Sequence, residues 1–196
     1  MFLCATTCSY AFSYFLPIIL AGMGNSPEKS QLLSAPPYVV AVVTGFSCAV
    51  VSDKIRMRAP AIIVQAVMCI VGLAITAYAE NTNVRYFGTF LGLAGANGNV
   101  PAILSYQANN IRMNSRRSVA SALQVGFGAL GGIVASTVFR QQDQPRYIPG
   151  LWTAMGTQIL LLALAGIMTF HFKRRNKQQR EGNAVLEGHP DFQYTI

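Results

Sequence analysis

Six apolar stretches without Asp, Glu, Lys or Arg divide the chain: Met1 to Pro27, Ser30 to Ser52, Ala59 to Ala79, Tyr86 to Ile111, Ser118 to Phe139 and Tyr147 to His171. A helix needs about 20 mostly apolar residues to cross a bilayer. The pattern predicts six spans, near 1–22, 34–52, 60–79, 84–108, 118–139 and 150–171. The expected fold is therefore an all-α polytopic membrane protein with a six-helix transmembrane half-bundle over 1–171. Residues 172–196 are expected to form a cytosolic basic and polar tail, disordered for want of a periodic apolar face.

Polar residues break the apolar pattern unevenly. A polar group in lipid is costly, so such residues turn toward a bundle interior or a water-filled cavity. On the first span Thr6, Tyr10 and Ser13 follow i, i+4, i+7 and share one face, with Tyr14 beside them. Helix–helix hydrogen bonding and cavity lining both account for that face. "APPYVV" reads as the start of the second span, since proline is tolerated in a first helical turn. Its Thr44 and Ser47 are explained by bonds back to the helix carbonyls. The third span is apolar apart from Gln65, and with the sixth is expected to be peripheral and lipid-facing. Trp152 anchors the sixth at an interface.

The fourth span, "GANGNVPAILSYQANN" at its end, is the polar one. Pro101 has no N–H to offer the Asn97 carbonyl, and Gly95 and Gly98 weaken the same turn, so a broken helix is expected. Asn99, Tyr106 and Asn110 fall near one face, Asn97 points away from it, and Gln107 lies about a quarter-turn from Tyr106. On the fifth span Gly128 and Gly132 form GxxxG, a close-packing or rocking surface, and Gly131 and Ala135 widen it. Gln124 is its one mid-helix polar residue. The candidate substrate-binding residues are Tyr10, Tyr14, Asn97, Asn99, Tyr106 and Gln124, with Pro101, Gly128 and Gly132 as helix-break and packing residues.

Composition sharpens the class. Hydrophobic residues are 52% of the 196 and charged residues 11%, against about 25% charged in soluble domains. The net charge of +8 sits in loops flanking apolar stretches, which is a topology signal and not a nucleic-acid surface. Lys54, Arg56, Arg58, Arg112, Arg116, Arg117, Lys173, Arg174, Arg175, Lys177 and Arg180 fall on one side. Lys29, Arg85, Arg140 and Arg146 fall on the other. The more basic side is cytosolic, so the first helix starts there and the tail ends there. Cys4, Cys8, Cys48 and Cys69 all lie in apolar stretches without metal-ligand spacing. His171 and His189 sit at and beyond the expected end of the last helix. No nucleophile–base pair or metal cluster is placed in the membrane, and no cofactor is implied, so an enzyme is not expected. With no ionisable group expected in the membrane, a proton relay has to come from elsewhere. Met1 stands directly inside an apolar stretch with no charged lead. That is unlike a signal peptide and suggests a missing upstream part.

"SDKIRMRAP" resembles the second cytoplasmic D-[RK]-x-G-[RK]-[RK] motif of the major facilitator superfamily. Asp53, Lys54 and Arg58 match, while Arg56 replaces the glycine and Met57 a basic position. "SYFLPIILAGMG", "LLSAPPYVVA", "GANGNVPAILSYQANNIR", "SALQVGFGALGGIVASTVFR" and "QDQPRYIPG" resemble, in order and spacing, its fungal allantoate permease-like members, the anion:cation symporters. The likeness covers nearly all of 9–171 and implies the C-terminal half, helices seven to twelve. It also implies a small organic anion such as allantoate, nicotinate or pantothenate, carried by proton symport across the plasma membrane. The first, second, fourth and fifth spans would line the cavity. A missing N-terminal six-helix half would be the partner. Asp53, Lys54, Arg58, Arg112 and Arg116 are the expected gating residues. The alternative reading is a non-transporting membrane sensor or an unproductive fragment.

Overall fold

The computed structural model describes residues 1–22, 24, 26–138, 147–182, 186–187 and 192–196. Arg140, Arg146 and His189, and most of "QDQPRYIPG", lie outside them. Among the described residues six helices follow in order: α1 (Phe2–Ala21), α2 (Pro27–Ile55), α3 (Ala59–Tyr78), α4 (Thr82–Asn110), α5 (Asn114–Val138) and α6 (Ile148–Arg180). The chain is an all-α polytopic membrane protein. Five helices are both long and apolar enough to cross a membrane. The sixth, α4, has the length, but its run of glycine, asparagine and proline lowers its hydropathy.

Helix starts follow local chemistry. The Ser26 hydroxyl accepts from Lys29 N–H at 3.4 Å, Pro27 opens the first turn, and Glu28 places a negative charge at the N-terminus of α2. This moves the start of α2 well ahead of the expected position, and Pro36 and Pro37 fall in its interior. Asn81 caps α4, its Oδ1 accepting from Asn83 N–H at 3.0 Å. Pro60 and Pro149 stand in the first turns of α3 and α6.

α4 is the organising helix, packed against α3 along its length and also against α2 and α1. Its seam with α3 is made of small residues. A Cβ on Gly72 would lie 2.2 Å from Gly92 N, and one on Gly95 would lie 2.3 Å from the Gln65 carbonyl oxygen. The backbones therefore touch, as is usual where apolar lipid gives no drive for helix association and close contact must supply it. The expected break at Pro101 does not occur: α4 is one helix through Pro101. Contacts with α2 and α3 on either side hold the weakened turn.

The remaining helices dock around this pair. α5 lies on α1 through Gly128, Gly131 and Ala135, its buried residues. Thr6 Oγ1 donates across that seam to the Gly128 carbonyl at 3.0 Å. α6 packs on α3 and α1. Phe12, Leu16, Leu73, Leu93 and Leu151 fill one half of the core, and Ile62, Ile103, Leu161 and Phe172 the other. Much of α2 and α5 faces outward with Val42, Phe46, Val125 and Ile133 exposed, as lipid or another apolar partner allows. Tyr78 and Trp152 meet edge to face at 6.3 Å between centroids, an aromatic pair suited to an interface.

Three expectations change here. α3 is not simply lipid-facing, since Gln65 is 2% exposed and packed against Gly98 of α4. A buried ionisable group is present: Arg85, in the first turn of α4, donates through Nε to the Thr76 carbonyl at 3.2 Å. The expected tail is ordered in part. α6 runs past His171 to Arg180, and residues 192–196 lie against the bundle through hydrogen bonds to Asn176 and Asn110.

Candidate functional site

The six candidate binding residues do not form one site. They separate into three places, each set by a different helix face.

The first is an open polar face on α1 and α4. Tyr10 and Tyr14, one turn apart, stack with centroids 5.9 Å apart and planes within 16°. They are 37% and 51% exposed. Ser13, also exposed, donates to the Ser9 carbonyl at 3.0 Å. Ser9 Oγ donates to Asn97 Oδ1, linking α1 to α4 beside the tyrosines. This uses an acceptor lone pair of the amide, whose Nδ2 is a donor. Tyr10 and Asn97 both stand near the midpoints of their helices. Tyr10 also covers Gly132, whose Cβ would sit 3.3 Å from the ring. Ser9 was not among the candidates. Its i, i+4 relation to Ser13 was the available signal.

The second place holds Asn99, which is not on an open face. It is 0% exposed between α4 and α3. With the amide turned so that its nitrogen meets the acceptor and its oxygen the donor, Nδ2 donates to the Ile62 carbonyl at 3.1 Å and Oδ1 accepts from Ala66 N–H at 3.2 Å. Both partners are backbone groups of α3, so Asn99 is helix glue in this arrangement. The stripe Asn99–Tyr106–Asn110 does share a face, as its spacing requires, but that face is buried against neighbouring elements.

The third is a cavity of about 710 Å³ toward the end of the bundle that carries the α2–α3 and α4–α5 turns. Tyr106 and Gln107 of α4, Gln124 and Phe127 of α5, Phe2 of α1, and Met168 and Phe172 of α6 line it. Here the structure brings Tyr106 and Gln124 together. Gln107 Oε1 and Gln124 Oε1 are buried without a hydrogen-bond partner. α6 contributes to this wall and α2 does not. Glu187 also reaches the cavity.

The gating residues divide likewise. Arg58 Nη2 pairs with Asp53 Oδ1 across the α2–α3 turn, and Ser52 Oγ donates to the Met57 carbonyl at 2.8 Å. Between them Arg56 adopts φ 56° and ψ 27°. That is the left-handed conformation in which glycine carries no steric cost, and here an arginine adopts it. Lys54, Arg112 and Arg116 are exposed and make no ion pair among the described residues. A small cavity of about 40 Å³ lies behind the turn between Ser52, Gln65, Gly98 and Pro101, enough for about one water.

In sequence the chain is similar to known transporters. No family model matches the chain. It is 30% identical over 172 residues to the high-affinity nicotinic acid transporter of Saccharomyces cerevisiae, covering 88% of this chain and 32% of that one. The major facilitator-type transporter hxnP of Emericella nidulans is 30% identical over 192 residues, 93% of this chain and 39% of the relative. The MFS-type transporter cnsO of Penicillium expansum is 26% identical over 184 residues, 91% and 36% respectively. The chain is similar to fungal transporters of the major facilitator type. It spans about a third of the length of these curated relatives. The relatives are named as transporters, not as enzymes.

Proposed function

We propose that this chain is the C-terminal six-helix half of a major facilitator transporter, of the allantoate permease-like kind, that carries a small organic anion by alternating access. The observation that carries the reading is the open face of Ser9, Tyr10, Tyr14 and Asn97 at mid-helix depth. Secondary transporters bind substrate near the bilayer midplane, between their two halves. The stacked tyrosines offer a flat wall for a planar ring, and Asn97 Nδ2 offers a donor to a carboxylate. Similarity to a nicotinic acid transporter makes nicotinate the first substrate to try.

The division of labour follows from the charges. Arg85 is the buried ionisable side chain of the described helices apart from cysteine and tyrosine, and arginine does not release its proton in proteins. The proton-carrying group of a symporter therefore belongs to the N-terminal half, as does the charge that balances the anion at the midplane. The Asp53–Arg58 pair holds the α2–α3 turn at the cytosolic end, where it serves the inside gate with Lys54, Arg112 and Arg116. The plasma membrane is the proposed location.

Uptake of radiolabelled nicotinate, pantothenate and allantoate by cells producing the full-length transporter tests this. One of these acids should accumulate, faster at acidic external pH, and a protonophore should abolish the accumulation. No uptake of any of them from protein shown to be at the cell surface would count against the organic-anion reading. Uptake indifferent to the protonophore would remove proton symport.

A further inference from the structure

Residues 192–196 lie across the ends of α4 and α6, and their backbone is read by two asparagine side chains. Asn176 of α6 donates through Nδ2 to the Tyr194 carbonyl at 2.8 Å, and its Oδ1 accepts from Tyr194 N–H at 2.9 Å. Asn110 of α4 does the same one residue on. Its Oδ1 accepts from Thr195 N–H at 2.8 Å, and its Nδ2 donates to the Thr195 carbonyl at 3.2 Å. A side-chain amide carries the same donor and acceptor as a peptide group, so each asparagine acts as one residue of a neighbouring strand. Both asparagines are buried, where an unmet amide is costly.

Two further contacts fix the segment's register. The Tyr194 ring stacks on Phe172 of α6 with centroids 4.5 Å apart and planes within 14°. The Ile196 carbonyl accepts from Arg58 N–H at 2.7 Å. Arg58 is the residue paired with Asp53, so the segment reaches the turn whose backbone Arg56 holds in the left-handed region. Tyr194 also forms part of the wall of the 710 Å³ cavity.

We propose that the ends of α4 and α6 form a peptide-docking groove for an extended backbone. Its occupant is the chain's own segment 192–196, a strap that ties the α2–α3 turn to α4 and α6. Asn110 and Asn176 are the readers and Phe172 the side-chain anchor. Backbone reading makes the groove tolerant of sequence except at Tyr194. Releasing the strap frees the Arg58 turn and opens the cavity on that side. The inference stands on contacts within this chain and does not depend on the transported substrate.

Amide hydrogen exchange of the full-length protein in lipid nanodiscs tests it. The Tyr194 and Thr195 amides should exchange about tenfold or more slower than in a free peptide of the same sequence. Thr195→Pro removes the donor to Asn110 without altering any helix. It should return Tyr194 to the free rate and speed exchange at Arg58, with α1 and α3 still protected. The Asn110→Ala, Asn176→Ala double variant should do the same from the groove side. Free-rate exchange at Tyr194 and Thr195 in the unsubstituted protein would overturn the docking. Unchanged exchange at Arg58 after Thr195→Pro would overturn the tie to the turn. Because exchange is read without transport, neither result depends on finding the substrate.

Discussion

The Ser9 hydroxyl donates to Asn97 Oδ1 across the α1–α4 boundary, beside the stacked Tyr10 and Tyr14. The bond commits Oδ1 of the amide to α1, and its NH₂ is chemically a donor. If Asn97 Nδ2 meets a substrate carboxylate, its loss removes a hydrogen bond to a charged group, worth about 1.5–3 kcal/mol. Asn97→Leu should then lower nicotinate uptake by about tenfold or more at equal surface abundance. Ser9→Ala should have a smaller effect in the same direction, because the amide persists without its orienting partner. Uptake by Asn97→Leu indistinguishable from the unsubstituted protein would take this pair out of the site.

Asn99, two residues further on, should behave differently. It is sealed between α4 and α3 and bonded to Ile62 and Ala66. Polar bonds between membrane helices contribute about 1 kcal/mol. Asn99→Leu should lower the thermal unfolding temperature and the amount of folded protein, with KM for transported substrate unchanged in what remains. A raised KM at unaltered stability would instead return Asn99 to the binding site.

These contrasting neighbours show how far the sequence could be read. Helix number and approximate bounds followed from charge-free length, and the packing face of α5 followed from the spacing of Gly128, Gly131 and Ala135, although not its partner α1. Polarity alone did not separate Asn97 from Asn99. Each is an amide at membrane depth, and only the position of α3 decides which is covered. Gln65 was misplaced for the same reason, since a lone amide on an apolar helix shows nothing of the glycines opposite it. The α2 start was legible in Ser26-Pro27-Glu28, a capping pattern outweighed by the later pair of prolines. The docking of 192–196 was not legible, because it uses backbone groups that every residue carries.

The α3–α4 seam gives a stability test independent of function. Gly72→Ala would place a Cβ 2.2 Å from Gly92 N, and Gly95→Ala one 2.3 Å from the Gln65 carbonyl oxygen. Backbone cannot rotate away as a side chain can, so each should destabilise by about 1–3 kcal/mol. Gly126 and Gly156 have nothing within 4 Å of such a Cβ. Alanine there should be neutral or stabilising by about 0.5–1 kcal/mol. Thermal unfolding in detergent reads all four. Equal effects at the four positions would mean that α3 and α4 are not in backbone contact.

Arg56 offers the converse substitution. At φ 56° an L-residue crowds its Cβ against the following carbonyl oxygen, at about 1–2 kcal/mol. Glycine relieves this crowding and also gains freedom in the unfolded chain, which offsets part of the benefit. Arg56→Gly should therefore raise stability slightly, by up to about 1 kcal/mol, and restore the residue that the resembling motif carries there. Arg56→Val, with a branched Cβ in the same conformation, should lower it by more than Arg56→Gly raises it. Thermal unfolding of the full-length protein separates the two. If Arg56→Gly is less stable than the unsubstituted protein, the guanidinium contributes more than the backbone strain costs. The arginine would then be holding the turn through its charge.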